Sequence, residues 1–149
     1  MTRSAITDAV LTEADGFYDI QFDDTGDILT ADFFDTSLLM SIYCDQRALS
    51  SEMPQSERRR GWIGNKNGFE VGSKLWLFEQ SRITRTTLNE IASVANNAVQ
   101  WLVDDAYAVS TEATVSFSSG AVALEIQIKR PQSQVEKRFY QLWDNTGRA

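Results

Sequence analysis

The chain has no histidine, a single cysteine, two prolines and no apolar run approaching the roughly 20 residues that a membrane-spanning helix needs. Each shortage excludes something. Without histidine the common zinc sites cannot be assembled, and serine or cysteine nucleophiles lose their usual base, which leaves paired carboxylates as the main hydrolytic option. A lone Cys44 rules out an intrachain disulfide framework and fits folding in a reducing compartment. The first twenty residues, "MTRSAITDAVLTEADGFYDI", contain no continuous apolar core of signal-peptide length, so neither export nor membrane insertion is expected.

Positive charge is also scarce. Fourteen bases face 21 acids, and the net charge of −7 disfavours a general affinity for nucleic acid or anionic membrane. The imbalance is uneven: residues 1–50 hold ten acids and two bases, 51–100 five and seven, and 101–149 six and five. Any basic function must therefore be local, in the middle of the chain. With 149 residues, 42% of them hydrophobic, the expectation is one domain, 1–149, with an extended N-terminal arm at 1–16 and a long loop at 50–72.

Periodicity supplies the elements. "GFYDIQFDDTGDILTA" alternates Tyr18, Ile20 and Phe22 with polar neighbours and turns through Asp24, Thr25 and Gly26, which predicts a small hairpin. Leu38, Leu39, Ile42 and Tyr43 recur at helical spacing, with Asp35 or Thr36 as the cap. Leu88, Ile91, Ala92, Ala95, Val99 and Leu102 define a second helix, led by Thr84 or Thr87 after a short helical piece at 73–79. Val115 and Phe117, then Leu124, Ile126 and Ile128 across "SSG", read as a hairpin with one wet face. "KRFYQLW" follows as a third strand, with Phe139, Gln141 and Trp143 on one side. The expected fold is α+β in two layers: an antiparallel sheet of three or more strands with helices on one face, plus the N-terminal hairpin.

No motif for catalysis or cofactor binding survives inspection. Gly68 is followed by three residues before "GSKL", whereas a phosphate loop needs four before a Gly-Lys-Ser/Thr triplet, so the glycines of 61–72 are expected to permit tight turns, with Ser73 capping the next helix. Asp19, Asp23, Asp24 and Asp27 lack the order and the distal glutamate of a calcium loop. Glu79, Asp104 and Asp105 are the carboxylates available for hydrolysis; helix-end and surface charge is the plainer explanation. No cofactor and no metal is expected. "RRRGWIGNK" concentrates arginine around a tryptophan, the residue types that most often anchor protein interfaces. Arg58, Arg59, Arg60, Trp62 and Lys66 are therefore the expected interface residues; for Trp76 and Trp101, on helical segments, core packing is expected.

The segments "DTSLLMSIYCDQRALSSEMPQSERRRGWIGN" and "VGSKLWLFEQSRITRTTLNEIASVANNAVQWLVDDA" resemble the Mu-like phage baseplate family often called phage protein forty-six. The resemblance rests on the order of Asp-x-Arg-Ala, Arg-Arg-Gly-Trp, Gly-Ser-x-Leu-Trp-Leu and "WLVDDA", and spans roughly residues 17–143. "GSKLWLFEQ" before a threonine-led helix and two strands is also similar to the wider gene-twenty-five-like wedge proteins of contractile tails. Two positions depart from the family pattern: Ile63 stands where a second tryptophan is expected, and Ala106 where a glycine is. The resemblance implies a structural, non-enzymatic baseplate wedge protein in the virion tail, assembled in the host cytoplasm. Its implied partners are other wedge proteins and the tail sheath, without nucleic acid. A carboxylate-dependent peptidoglycan-cleaving tail enzyme and a small nucleic-acid-binding protein are the alternatives.

Overall fold

The computed structural model describes residues 8–15, 17–31, 35–52, 60–61, 71–79, 81–132 and 134–144. The chain divides into two units, residues 1–40 and 41–149.

In the first unit, β1 (Asp8–Ala9) pairs with β4 (Thr30–Ala31), and β2 (Leu11–Ala14) pairs with β3 (Phe17–Ile20), both antiparallel. Bonds from Val10 N to the Leu29 carbonyl and from Leu29 N to the Gln21 carbonyl link the two pairs. The expected turn closes beyond β3, where Phe22 bridges Ile28, and the Asp23 carboxylate accepts hydrogen bonds from Thr25 N, Thr25 Oγ1 and Asp27 N. Among the described residues, strand pairing is already present at Asp8, inside the stretch that sequence alone suggests is an extended arm. Helix α1 (Asp35–Tyr43) begins in this unit. Its first turn is tied to β1. The acceptor for Ser37 N, at 2.8 Å, is Asp8, 29 residues earlier, while Thr36 donates its hydroxyl to the Ala9 carbonyl. A cap brought in by strand pairing leaves no local signature.

The second unit is a three-stranded antiparallel sheet in the order β5 (Ser110–Ser118), β6 (Ala121–Lys129), β7 (Val135–Asp144), with α2 (Arg85–Ala98) and α3 (Trp101–Asp104) packed against β5. Thr84 starts α2, accepting from Thr87 N through its side chain. The apolar stripe of α2 and α3 buries Ile91, Ala95, Val99 and Leu102. It lies over the face of β6 that buries Val122, Leu124, Ile126 and Ile128, as the Thr111 hydroxyl, cross-strand from Ile128, bonded to Asn96 shows. The fold is α+β, as the spacing predicts.

One strand departs from expectation. Val122 pairs with Trp143 but Ala123 with Gln141, so Leu142 is an extra residue at a β-bulge. A bulge reverses which side successive residues face. Trp143 therefore shares the covered side with Tyr140, Arg138 and Glu136, whereas Phe139 lies on the open side at 70% exposure. The expected alignment of Phe139, Gln141 and Trp143 on one face fails at that residue.

Candidate functional site

The best-defined constellation surrounds residues 44–47, the Asp-x-Arg-Ala segment after α1. Ser73 forms a parallel bridge with Asp45: Ser73 N donates to the Cys44 carbonyl, and Gln46 N donates to the Ser73 carbonyl, both at 2.9 Å. The Ser73 hydroxyl, buried, donates to the Ile42 carbonyl at 2.8 Å. Ser73 is thus a rung beneath the segment, and its hydroxyl also accepts from Leu75 N at 3.4 Å, so it serves the start of the 3-10 turn Leu75–Phe78, although the cap position itself falls on Lys74. Gly72 makes the approach possible. At φ +116° its Cα faces the Cys44 carbonyl so closely that a Cβ would overlap the oxygen and stand 2.8 Å from the carbon.

Arg60 reaches the same place from the other end of the loop. Its guanidinium lies 3.4 Å from Asp45 and 3.5 Å from Glu79, and stacks 4.8 Å above the ring of Trp76. Trp76, only 8% exposed, donates its indole N–H to the Gln46 carbonyl at 2.8 Å. Arg60 and Gly61 both take positive φ, and a Cβ on Gly61 would stand 3.3 Å from Arg47 Cβ. Residues 60–61 and 72–73 are therefore both held against residues 44–47. Cation–π stacking and two partly exposed ion pairs hold the former, each a modest contribution in such exposed settings; backbone pairing holds the latter.

Beside this clasp an open cleft of about 500 Å³ is lined by Gln46, Glu52, Ser73, Lys74, Asn97, Trp101 and Asp104. Lys74 pairs with Glu52 at 3.0 Å, and the Glu52 carboxylate also accepts from Leu49 N at 2.7 Å. The Leu49 amide first, then Lys74, hold the Glu52 carboxyl below its usual range. Trp101 donates its indole N–H to Ser41 Oγ at 2.9 Å and meets Tyr107 edge-on. Burial, with a smaller contribution from Asp45, pushes the Cys44 thiol up, so it stays protonated at neutral pH.

Of the expected interface residues, Arg60 is placed on its own chain's Asp45, Glu79 and Trp76. Arg58, Arg59, Trp62 and Lys66 lie outside the described residues. Of the three carboxylates considered for hydrolysis, Glu79 pairs with Arg60, and Asp104 accepts from the Gln100 amide. Asp19, Asp23 and Asp27 bond their own local backbone, and among the described residues no cluster of metal-ligating side chains forms. The clasp was partly legible, since closely spaced glycines signal unusual backbone. Its acceptor, the carbonyl of Cys44, was not.

Ala106 explains one departure from the family pattern. It follows α3 with φ +57°, and its N–H donates to the Val103 carbonyl at 2.9 Å, the left-handed C-terminal position that glycine fills most easily.

The family model described as "Phage protein GP46" matches residues 34–135. The "Mu-like prophage FluMu protein gp46" of Haemophilus influenzae is 30% identical over 138 residues, covering 91% of this chain and 96% of that protein. The "Baseplate protein gp46" of Escherichia phage Mu is 36% identical over 100 residues, covering 65% and 68%. The matched span runs from the start of α1, through the clasp at 44–47 and 72–76, to the first residue of β7, and the chain belongs to the phage GP46 family.

Proposed function

We propose that this chain is a structural, non-enzymatic component of a Mu-like contractile phage tail baseplate, carried in the virion and assembled in the host cytoplasm. The observation that carries the reading is relatedness along nearly the whole chain to one gp46 protein, together with the baseplate name of a second. At finer grain, its role is to join neighbouring wedge subunits and the first sheath layer.

Two features support that role. Strands β5 and β7 lie at the two edges of their sheet, and among the described strands neither has a second neighbour, so each can accept a strand from another subunit. The basic composition of 58–66, with Arg58, Arg59, Trp62 and Lys66 around the Arg60 that is held on Asp45, suits contact with an acidic partner.

Copurification from partly assembled tails, followed by affinity measurement with the recovered partner, tests the reading. Trp62→Ala should weaken binding by roughly 2 kcal/mol or more while leaving the melting temperature nearly unchanged, as for a buried aromatic anchor. Absence of the protein from purified tails overturns the baseplate role. A large loss of stability in Trp62→Ala removes that residue from the docking surface.

A further inference from the structure

We propose that the hairpin face carrying Tyr18, Ile20, Phe22 and Ile28 is a second docking surface, whose occupant is another tail protein presenting an apolar recess rimmed by lysine or arginine. The existence of such neighbours rests on the baseplate reading; the chemistry of the partner comes from the hairpin.

Register places these side chains together. Leu11 pairs with Ile20, Glu13 with Tyr18, and Phe22 with Ile28, and residues two apart share a side of a strand. Tyr18, Ile20, Phe22 and Ile28 therefore form one stripe, with Glu13 among them. Alternation of this kind normally marks a strand with one buried face. Here the four are 49%, 42%, 64% and 44% exposed, and every residue of β3 is exposed. Among the described residues of this hairpin only Leu11, opposite Ile20, is half-buried on this face, and a two-stranded hairpin so little covered is marginal in water, so a stripe of this composition is best explained by a cover supplied from another molecule.

Charge selects the cover. Between residues 11 and 28 stand Glu13, Asp15, Asp19, Asp23, Asp24 and Asp27, with no lysine or arginine. This field repels anionic lipid and nucleic acid, and would set acid against acid if two hairpins met face to face. It favours a basic rim around an apolar recess, with the charges accelerating encounter and the aromatic rings slowing release. The turn is organised in advance: Asp23 accepts three hydrogen bonds from Thr25 and Asp27, and Ile28 N donates to Asp27 at 2.8 Å.

The test places a photo-crosslinking phenylalanine analogue at Phe22 of the full chain, in phage particles whose only copy of the protein carries it. Tails are purified, irradiated, and the crosslinked peptides identified by mass spectrometry. The expected result is a crosslink to a different tail protein, in a peptide containing lysine or arginine. Glu13→Lys with Asp24→Lys should lower the yield at least about fivefold, and Glu13→Gln with Asp24→Asn by an intermediate factor, at unchanged melting temperature. A crosslink only to another copy of this chain, to lipid or nucleic acid, or to nothing overturns the proposal, as does a yield indifferent to charge. Should the wild-type chain be missing from the tails, the baseplate reading fails instead, so the two failures are distinct.

Discussion

Ile126 and Ile128 in the β5–β7 sheet are closed to solvent, whereas Tyr18 and Ile20 in the β2–β3 hairpin stand nearly half exposed, although both strands alternate apolar and polar residues. The sheet lies under α2, whose apolar stripe meets it within the same chain. Among the described residues of the first unit, no helix packs over the Tyr18 face of the hairpin in the same way. Alternation thus specifies that a face is to be covered, without specifying by what.

The largest test of this contrast is truncation on each side of it. Ile126→Ala should destabilise the protein by about 4 kcal/mol in denaturant unfolding, because a fully buried side chain leaves a cavity. Phe22→Ala should change the same measurement by less than about 0.5 kcal/mol, as expected of an exposed site. A comparable loss at both positions would show the hairpin to be as integral to stability as the sheet.

Next in size is Gly72→Ala, which forces a side chain into the Cys44 carbonyl at a positive φ and should cost about 3 kcal/mol. Hydrogen exchange at the Ser73 and Gln46 amides should accelerate in that variant. Gly26→Ala, at the hairpin turn where nothing lies within 4 Å of the added methyl, meets only the backbone penalty and should cost about 1 kcal/mol.

Ala106→Gly should act in the opposite direction. Relieving a left-handed alanine should stabilise by about 1 kcal/mol, raising the melting temperature by roughly 2–4 °C.

The smallest effect is at Asp23. Thr25 and then Asp27, by hydrogen bonding to its carboxylate, hold its folded-state pKa below the ordinary aspartate value. Its contribution is complete above that ordinary value, about 3.9, and is lost as pH falls through the depressed folded one. Amide chemical shifts of Thr25 and Asp27 should therefore move only at strongly acidic pH, and Asp23→Asn should abolish that titration while leaving the unfolding of the β5–β7 sheet unchanged.

How far the sequence reaches differs from residue to residue. Leu88 to Ala95 announce α2 because 3.6-residue spacing is a local property, and Thr84 marks its start by a bond that spans only three residues, but the single helix expected through Leu102 is interrupted at Val99 and Gln100, where α2 ends and α3 begins. The strands of β5 and β6 are legible for the same reason. The bulge at Leu142 is not, because an extra residue is defined only against the strand it pairs with. In the candidate site, the basic composition of 58–66 and the clustered glycines are visible in the chain, but the choice of Asp45 and Glu79 as partners of Arg60 requires bringing together residues 15 and 19 positions apart.

By itself, then, the sequence determined the elements with a period, the absence of histidine-based chemistry, the acidic character of the first fifty residues and the family to which the segments around 44–48 and 72–77 point. Tertiary structure alone decided that Asp8 caps α1, that Gly72 must be glycine because the Cys44 carbonyl lies against it, and that Arg60 turns inward onto Trp76. The physical reason is common to all three. Periodicity and capping residues act over one or two turns of chain, whereas a cap, a close approach or a stacked cation from a distant segment exists only after the fold has closed the loop between them.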